Sequence, residues 1–366
     1  MPEPESLLMS DDKASDTITP AEVKLGTFAG VFTPSVLTIL GIILFLRLGF
    51  VVGEAGLGRA LVIIALANAI SILTSLSLSA IATNLRVKGG GDYYVISRTL
   101  GPEFGGALGL VLFLAQSVSI AFYCIGFGEA LAAIVPAEWA LSPRLAAAAA
   151  VSALFVLAWL GADWATRFQY VVMALLIAAL ASFYTGALGQ WNPQQVVLDW
   201  SAPAGAQPFW VVFAIFFPAV TGFTAGIGLS GDLRDPRRSI PRGTLLAVMT
   251  GAMVYLSVPV LLAITSRVSA VELAEPGIIW LQIAFLGPWL VFPGLWGAIL
   301  SSAFGSALGG PRVLQSLSRD GLAPSFLART SSTGQPTIAT WVSGAIALAA
   351  VALIVLPSPA CAGAPE

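Results

Sequence analysis

The sequence predicts an all-α polytopic membrane protein, and two observations support that fold class. Hydrophobic residues make up 57% of the chain and charged residues only 10%, with a mean hydropathy of +0.89, whereas soluble domains carry about 25% charged residues. The charges also fall in short breaks between apolar runs that reach the roughly 20 residues needed to cross a bilayer. Nine such runs are predicted, at 31–53, 57–84, 104–134, 143–161, 165–188, 208–230, 243–265, 288–311 and 336–357.

The polar breaks predict how the chain is divided and oriented. We expect an N-terminal tail over 1–27, a transmembrane transporter domain over 28–357 and an irregular tail over 358–366. The first segment is acidic and lacks the basic start and apolar core of a signal peptide. Lys and Arg concentrate in the breaks on the same side as this tail, which predicts a cytosolic N-terminus in a multi-pass protein of the cell membrane. These residues are Lys13, Lys24, Arg86, Lys88, Arg98, Arg167, Arg234, Arg237, Arg238, Arg242, Arg312, Arg319 and Arg329.

The composition argues against several function classes. The chain contains no His, so imidazole relays, His metal sites and Ser/His or Cys/His dyads are excluded. Cys124 and Cys361 form no CxxC pattern, and the Gly89–Gly91 run lacks the Lys-Ser/Thr ending of a phosphate loop. A net charge of −2 gives no reason to expect a nucleic-acid partner. We therefore expect no enzyme, no cofactor and no metal other than alkali cations.

Spans 1 and 6 carry residues that disturb a helix near mid-membrane. Span 1 contains Pro34 and Gly41, and span 6 contains Pro218 and Gly222. A helix broken in hydrocarbon leaves backbone groups unpaired at several kcal/mol each, so a break is tolerated where it lines a cavity. Two such spans five helices apart predict an inverted-repeat transporter of five plus five helices, with discontinuous helices 1 and 6. The alternative is that these residues only allow close helix packing.

Several strings of this chain occur in the same order in a known transporter family. They are LTILGIILFLRL at 37–48, SAIATN at 79–84, GGGDYY at 89–94, ISRTLGPEFGG at 96–106, GDLRDP at 231–236 and IPRGT at 240–244. These strings resemble the cation-chloride cotransporters of the amino acid/polyamine/organocation superfamily. The resemblance implies gradient-driven symport of chloride with potassium, sodium or both, by alternating access. It also implies at least ten core helices, so we expect a chain that is C-terminally truncated within its second repeat.

The resemblance implies three ion sites. The potassium site consists of carbonyls and hydroxyls of Thr38, Ile39, Tyr123, Pro218 and Thr221, where Thr38 replaces the Asn usual in the family. The chloride sites consist of the backbone amides of Gly41, Ile42, Ile43, Gly222, Phe223 and Thr224. The sodium site consists of carbonyls of Leu37, Leu40 and Ala298 with the hydroxyls of Ser301 and Ser302. Free amides at the start of a half-helix suit an anion, and neutral oxygens suit a weakly hydrated cation.

The same hydroxyl groups have structural alternatives. The Tyr123 hydroxyl could bond a neighbouring helix, and serines in membrane helices commonly bond back to the preceding turn or pack against a neighbour. Arg47 and Glu129 are opposite charges within spans 1 and 3, and the resemblance implies that they form an extracellular gate. A static structural bridge is the alternative for that pair, since either charge alone costs about 3 kcal/mol in a bilayer.

Two other functions stay open at this level. One is an amino-acid permease that uses the same broken helices for a carboxylate and an amine. The other is a transport-inactive membrane fragment that needs a partner to complete its fold. The expected partners are chloride, potassium and sodium ions and the lipid bilayer, and a homodimer is an open alternative.

Overall fold

In the structure, a computed structural model, helices make up nearly all of the regular secondary structure of the described residues, which also include two isolated β-bridges. The structure describes residues 24–84, 90–132, 134–136, 141–159, 162–191, 202–265, 272–273, 278–331 and 335–354. The α-helices are α1 (Thr33–Ile39), α2 (Ile42–Leu46), α3 (Leu48–Asn84), α4 (Asp92–Leu100), α5 (Pro102–Ala132), α6 (Pro143–Trp159), α7 (Ala162–Gly189), α8 (Phe209–Phe216), α9 (Pro236–Ile264), α10 (Trp280–Ile283), α11 (Gly287–Arg319) and α12 (Thr337–Ile354).

Eight helical stretches within the described residues are long and apolar enough to cross a membrane. They correspond to eight of the nine predicted spans. The remaining one, predicted over 143–161, is the shorter apolar helix Pro143–Ala158. The chain is therefore a multi-pass all-α membrane protein, as its composition predicts. Most of the two predicted tails, residues 1–23 and 358–366, lies outside the described residues, so their boundaries stay predictions.

The boundary between spans 1 and 2 lies at a glycine. Helix α3 consists of two helices that meet at a kink at Gly56, whose φ of 70° and ψ of 162° are not helical. Only glycine adopts that backbone region without strain. The residues before Gly56 complete span 1 and those after it form span 2, which agrees with the predicted limits of 53 and 57.

Spans 1 and 6 are discontinuous, as predicted. In span 1, α1 ends at Ile39 and α2 begins at Ile42, because Leu40 (φ −86°, ψ 43°) and Gly41 (φ −91°, ψ −143°) leave the helical conformation. Span 6 starts as α8 and continues as two 3₁₀ segments, Phe217–Val220 and Gly222–Asp232. Span 1 is therefore divided at Leu40 and Gly41, and the two 3₁₀ segments of span 6 meet at Thr221.

The remaining helices pack around these two spans. Helix α3 packs along α9, and α11 packs against both α5 and α7. We call the end of the bundle that carries Arg98, Arg234, Arg312 and Arg319 the basic end. Helix α4 is tied across this end, because Arg98 and the Tyr93 hydroxyl both donate to Asp320, at 3.2 and 2.7 Å. Arg312 donates to Asp232 at 2.8 Å, which ties α11 to the end of span 6.

The turn between α10 and α11 rests directly on α7. The backbone amide of Phe285 donates to the Ser182 carbonyl at 2.9 Å, and that of Leu286 donates to the Ser182 hydroxyl at 3.0 Å. A Cβ on Gly186 would overlap the Ile283 carbonyl and lie 2.7 Å from the Phe285 nitrogen. The two backbones therefore approach as closely as only a glycine permits.

We expect Gly186→Ala to destabilise the fold by about 1–3 kcal/mol, because the added methyl group must push two backbones apart. The measurement is the thermal unfolding midpoint of the detergent-purified protein. Gly189→Ala is the matched control, since a Cβ there meets nothing within 4 Å on the same helix. Equal midpoints for the two variants would contradict the close approach.

Candidate functional site

A cavity of about 240 Å³ lies where spans 1 and 6 break. Helices α5 and α11 complete its walls. Six of the predicted ligand residues line it, namely Thr38, Tyr123, Thr221, Gly222, Thr224 and Ser302. The other lining residues are Leu112, Ala115, Gln116, Ser119, Ala225, Gly228, Gly305, Ser306 and Gly309. No charged side chain is among these described lining residues, so the wall offers neutral oxygen atoms and backbone groups.

The two breaks touch each other at Gly222. A Cβ at that position would lie 2.7 Å from Thr38 Cγ2 and 2.9 Å from the Ile39 nitrogen. Glycine is therefore required for the backbones of spans 1 and 6 to meet.

Side chains from the surrounding helices satisfy carbonyl groups at the breaks. The Ser71 hydroxyl of α3 donates to the Val220 carbonyl at 2.8 Å. The Tyr255 hydroxyl of α9 donates to the Ile39 carbonyl at 2.6 Å. Ser35 in α1 links span 1 to span 6 as well, by donating to the Phe223 carbonyl at 3.0 Å and accepting from the Gly226 amide at 3.3 Å.

The predicted potassium ligands are brought together only in part. Thr38, Thr221 and Tyr123 line the cavity. The Pro218 carbonyl adjoins it, because it accepts the Thr221 hydroxyl at 2.8 Å. The Ile39 carbonyl instead accepts a hydrogen bond from Tyr255, so one of its lone pairs is already used by α9.

The predicted chloride amides fall into two groups. Gly222 and Thr224 line the cavity, and Phe223 lies between them with its side chain buried. The other group is at the start of α2, outside the residues that line the cavity. There, a Cβ on Gly126 would overlap the Ile42 side chain, so α5 packs tightly against the start of α2.

The structure brings three of the predicted sodium ligands together at the cavity wall. The Ser302 hydroxyl donates to the Ala298 carbonyl at 2.9 Å, which is the bond to the preceding turn that the structural alternative predicts, and it lies 3.3 Å from the Leu37 carbonyl oxygen. The Ser301 Oγ is buried and has no hydrogen-bond partner among the described residues. The sodium site therefore stays a prediction.

Arg47 and Glu129 do not form an ion pair in the structure. The ion pairs within the described residues join Arg98 to Asp320, Arg238 to Asp235 and Arg312 to Asp232. Both Arg47 and Glu129 have exposed side chains. Their meeting in a gate therefore stays a prediction about another state.

The sequence analysis missed Gln116, Ser119 and Ser306. All three line the cavity on the side of the basic end, along α5 and α11. Each is a polar residue within an apolar span, and that pattern alone was a signal, because polar groups are costly in hydrocarbon. These residues extend the polar wall from the breaks toward the basic end.

The fold and the cavity define a class of protein: an inverted-repeat membrane transporter with a central site between two discontinuous helices. A solved structure has the same fold, described as a substrate-bound outward-open state of a Na⁺-coupled sialic acid symporter. It matches at a TM-score of 0.64 and 11% identity, over 92% of this chain and 76% of that chain.

The amino acid permease family model matches residues 30–362, so the chain belongs to the amino acid permease family. Solute carrier family 12 member 2 of Mus musculus is 33% identical over 83% of this chain and 30% of its own length. The bumetanide-sensitive sodium-(potassium)-chloride cotransporter of Manduca sexta is 33% identical over 87% of this chain and 35% of its own. These similarities confirm the predicted family. The chain spans about a third of the length of these curated relatives.

Proposed function

We propose that this chain is the membrane core of a secondary active transporter that moves chloride together with potassium, sodium or both. The observation that carries the proposal is the neutral, oxygen-lined cavity at the point where spans 1 and 6 touch. Relatives named as solute carriers and as a sodium-(potassium)-chloride cotransporter support the choice of ions. The amino-acid permease alternative is not favoured, because the relative from Manduca sexta is named as a sodium-(potassium)-chloride cotransporter.

Potassium binds among Thr38, Ile39, Tyr123, Pro218 and Thr221 in this proposal. Neutral dipoles can replace the water of a large cation without the cost of burying a carboxylate. The Thr38 and Thr221 hydroxyls now bond to the Pro34 and Pro218 carbonyls, each at 2.8 Å. Because a hydroxyl rotates freely about its C–O bond, each can turn its lone pairs toward an ion without leaving its carbonyl.

Chloride binds at the backbone amides of the two breaks. The amides of Gly222, Phe223 and Thr224 are favoured, since Gly222 and Thr224 line the cavity. The amides of Gly41, Ile42 and Ile43 form a second site at the start of α2, beside the cavity wall. Amide groups at a helix start carry part of the helix dipole, which favours an anion.

Sodium binds at Leu37, Leu40, Ala298, Ser301 and Ser302. Support comes from the buried Ser301 hydroxyl without a described partner and from the contacts of Ser302 with two of the predicted carbonyls. The site lies between the break in span 1 and α11. A sodium ion bound there would contact both span 1 and α11, and it would therefore favour the access state in which these two elements lie together.

The cavity extends along one direction only, from the breaks toward the basic end. Its lining runs from Tyr123 to Leu112 on α5 and from Ser302 to Gly309 on α11. We place the basic end and the N-terminus in the cytosol, following the positive-inside rule, so this state would be the one that opens inward. A homodimer is a separate alternative, and the oligomeric state of the purified chain tests it.

The proposal is tested by reconstituting the purified chain in proteoliposomes and measuring rubidium and chloride uptake with and without sodium. Linked uptake of both ions is the expected result. Uptake of amino acids without either ion would establish the permease alternative. The absence of all flux would point to a fragment that needs a partner.

We expect Gly222→Leu to abolish rubidium and chloride uptake while leaving membrane insertion intact. The larger side chain would fill the anion position and collide with Thr38 and Ile39, but mean hydropathy barely changes. The readout is flux per molecule, with size-exclusion elution as the check on folding. Gly189→Leu is the control, because its side chain would enter open space. Normal flux in Gly222→Leu would remove span 6 from the binding site.

We expect the double substitution Ser301→Ala and Ser302→Ala to weaken apparent sodium affinity more than tenfold, because two of about five oxygen ligands are lost. Side-chain volume is nearly preserved, so folding should change little. The measurement is rubidium uptake against sodium concentration. Ser152→Ala serves as control, since the Ser152 hydroxyl bonds only its own helix, at the Ala148 carbonyl. Identical sodium curves would assign the two serines to packing.

We expect Glu129→Gln to change the maximal transport rate more than the apparent ion affinity. A gate residue alters the populations of the two access states and leaves the ion ligands in place. Uptake rates over a range of rubidium concentrations separate these two quantities. A weaker affinity at an unchanged rate would rule out the gating role.

A further inference from the structure

The segment that leads into span 1 is hydrogen-bonded to the loop that joins span 6 to α9. The Leu25 amide donates to the Asp232 carbonyl at 2.8 Å, and the Arg234 amide donates to the Leu25 carbonyl at 2.9 Å. The Thr27 hydroxyl donates to the Ser239 hydroxyl at 3.1 Å, at the start of α9. These bonds place the residue before Leu25, a lysine, beside the arginines of the loop.

Five exposed cations therefore gather where the loop meets α9. We call them the basic patch, which consists of Lys24, Arg234, Arg237, Arg238 and Arg242. The neighbouring acids neutralise little of this charge. Asp232 pairs with Arg312, and Asp235 lies 3.7 Å from Arg238 with both side chains more than half exposed. The ion pairs among the described residues include none of the other four cations of the patch.

The position of these cations is electrostatically unfavourable for the protein by itself. Arg237, Arg238 and Arg242 lie in the first two turns of α9, where the helix dipole is positive. Arg238 and Arg242 are also four residues apart on one side of the helix, and like charges at that spacing repel each other. An anion bound from outside the protein would relieve both effects.

An apolar face of α9 continues from the patch toward the other end of the helix. Five large apolar side chains on this face have exposed fractions of 37–63%, namely Leu246, Met249, Met253, Leu256 and Val260. At 100° per residue, these positions and those of Arg238 and Arg242 fall within an arc of about 80° around the helix. Helix α9 is long and apolar enough to cross a membrane, so this face contacts lipid chains and the two arginines lie at the level of the headgroups.

We propose that the basic patch and the apolar face of α9 together bind an anionic phospholipid from the leaflet at the basic end. Arg238 and Arg242 contact the phosphate of the headgroup, and an acyl chain lies along Leu246 and Met249. Guanidinium groups suit this role because they form paired hydrogen bonds with phosphate oxygens. The lipid site goes beyond the proposed function and does not depend on which ions the chain moves.

The apolar face favours a lipid over other anions. A free phosphate or an acidic peptide would pair with the cations, but it would gain nothing from exposed leucine and methionine side chains in line with them. A phospholipid carries an anionic group and an apolar chain in the same order as the patch and the face of α9. The competing occupant within the chain is its N-terminal segment 1–23, which is rich in Asp and Glu.

The test is the thermal unfolding midpoint of the detergent-purified full chain, measured against the concentration of an added ligand. The ligands are dioleoyl phosphatidylglycerol, dioleoyl phosphatidylcholine and inorganic phosphate, at matched ionic strength because salt screens exposed charges. A ligand that binds the folded protein raises the midpoint. We expect phosphatidylglycerol to raise it at concentrations where the other two have no effect. An equal rise with phosphatidylcholine or with phosphate would overturn the proposal.

Two double variants locate the site. Arg238→Gln with Arg242→Gln should weaken the apparent affinity for phosphatidylglycerol about thirtyfold, which corresponds to about 1 kcal/mol for each cation. The matched control is Arg319→Gln with Arg329→Gln, which removes the same charge from two exposed side chains at and after the end of α11. The control should keep the wild-type affinity. Equal affinities in the two double variants would overturn the site on α9.

A third variant tests the apolar part of the site without changing any charge. Leu246→Ala with Met249→Ala removes exposed apolar surface and should also weaken the affinity for phosphatidylglycerol. An unchanged affinity would show that the cations act alone and would contradict the binding of a lipid chain along α9.

A full-length variant with an uncharged N-terminal segment tests the competing occupant. Its acidic residues are replaced by the corresponding amides at Glu3, Glu5, Asp11, Asp12, Asp16 and Glu22. We expect this variant and the wild type to bind phosphatidylglycerol with similar affinity. Binding by the variant but not by the wild type would assign the basic patch to the acidic segment and overturn the lipid site.

Discussion

The need to pair backbone groups at two helix breaks inside the membrane shapes this protein. Span 1 leaves the helical conformation at Leu40 and Gly41, and span 6 changes from α-helix to two 3₁₀ segments that meet at Thr221. Water is scarce at that depth to take the released hydrogen bonds. Three hydroxyl groups donate hydrogen bonds to carbonyls at or next to the breaks, at 2.6–3.0 Å: Ser71 to Val220, Tyr255 to Ile39 and Ser35 to Phe223. Since each lost bond would cost several kcal/mol in hydrocarbon, these contacts also fix how α3 and α9 sit against the breaks.

In the proposed function, ions bind the backbone groups at the breaks that these three hydroxyls leave without a hydrogen bond. These backbone groups surround a cavity whose described lining is neutral, which suits cations and anions alike, because neither meets a fixed like charge. The ion pairs Arg98–Asp320 and Arg312–Asp232 lie instead at the basic end, where they tie α4, α11 and span 6 together.

Much of the fold could be predicted because hydropathy, proline and glycine act locally. The limits of spans 1 and 2 agree with the kink at Gly56, and the breaks in spans 1 and 6 are at the predicted glycines. Span 4 was less clearly predicted. Its apolar run covers 143–161, and the described helix within that run, Pro143–Trp159, is shorter than the eight candidate spans.

The candidate site was less accessible to sequence reasoning. The family resemblance named Thr38, Tyr123, Thr221 and Ser302 in separate predicted sites, and the structure places all four along one cavity. It gave no indication that the Ile39 carbonyl bonds to Tyr255, two hundred and sixteen positions away. It also passed over Gln116, which belongs to none of the predicted ligand sets.

The sequence by itself determined that the chain is a membrane protein, where its spans run, which two of them break and to which family it belongs. These features depend on composition and on residues close together in the chain. Only the tertiary structure decided which carbonyls are already hydrogen-bonded and which hydroxyl is left without a described partner. The physical reason is that a hydrogen bond depends on direction and on distances of a few tenths of an ångström between residues far apart in sequence, and helix packing alone sets those.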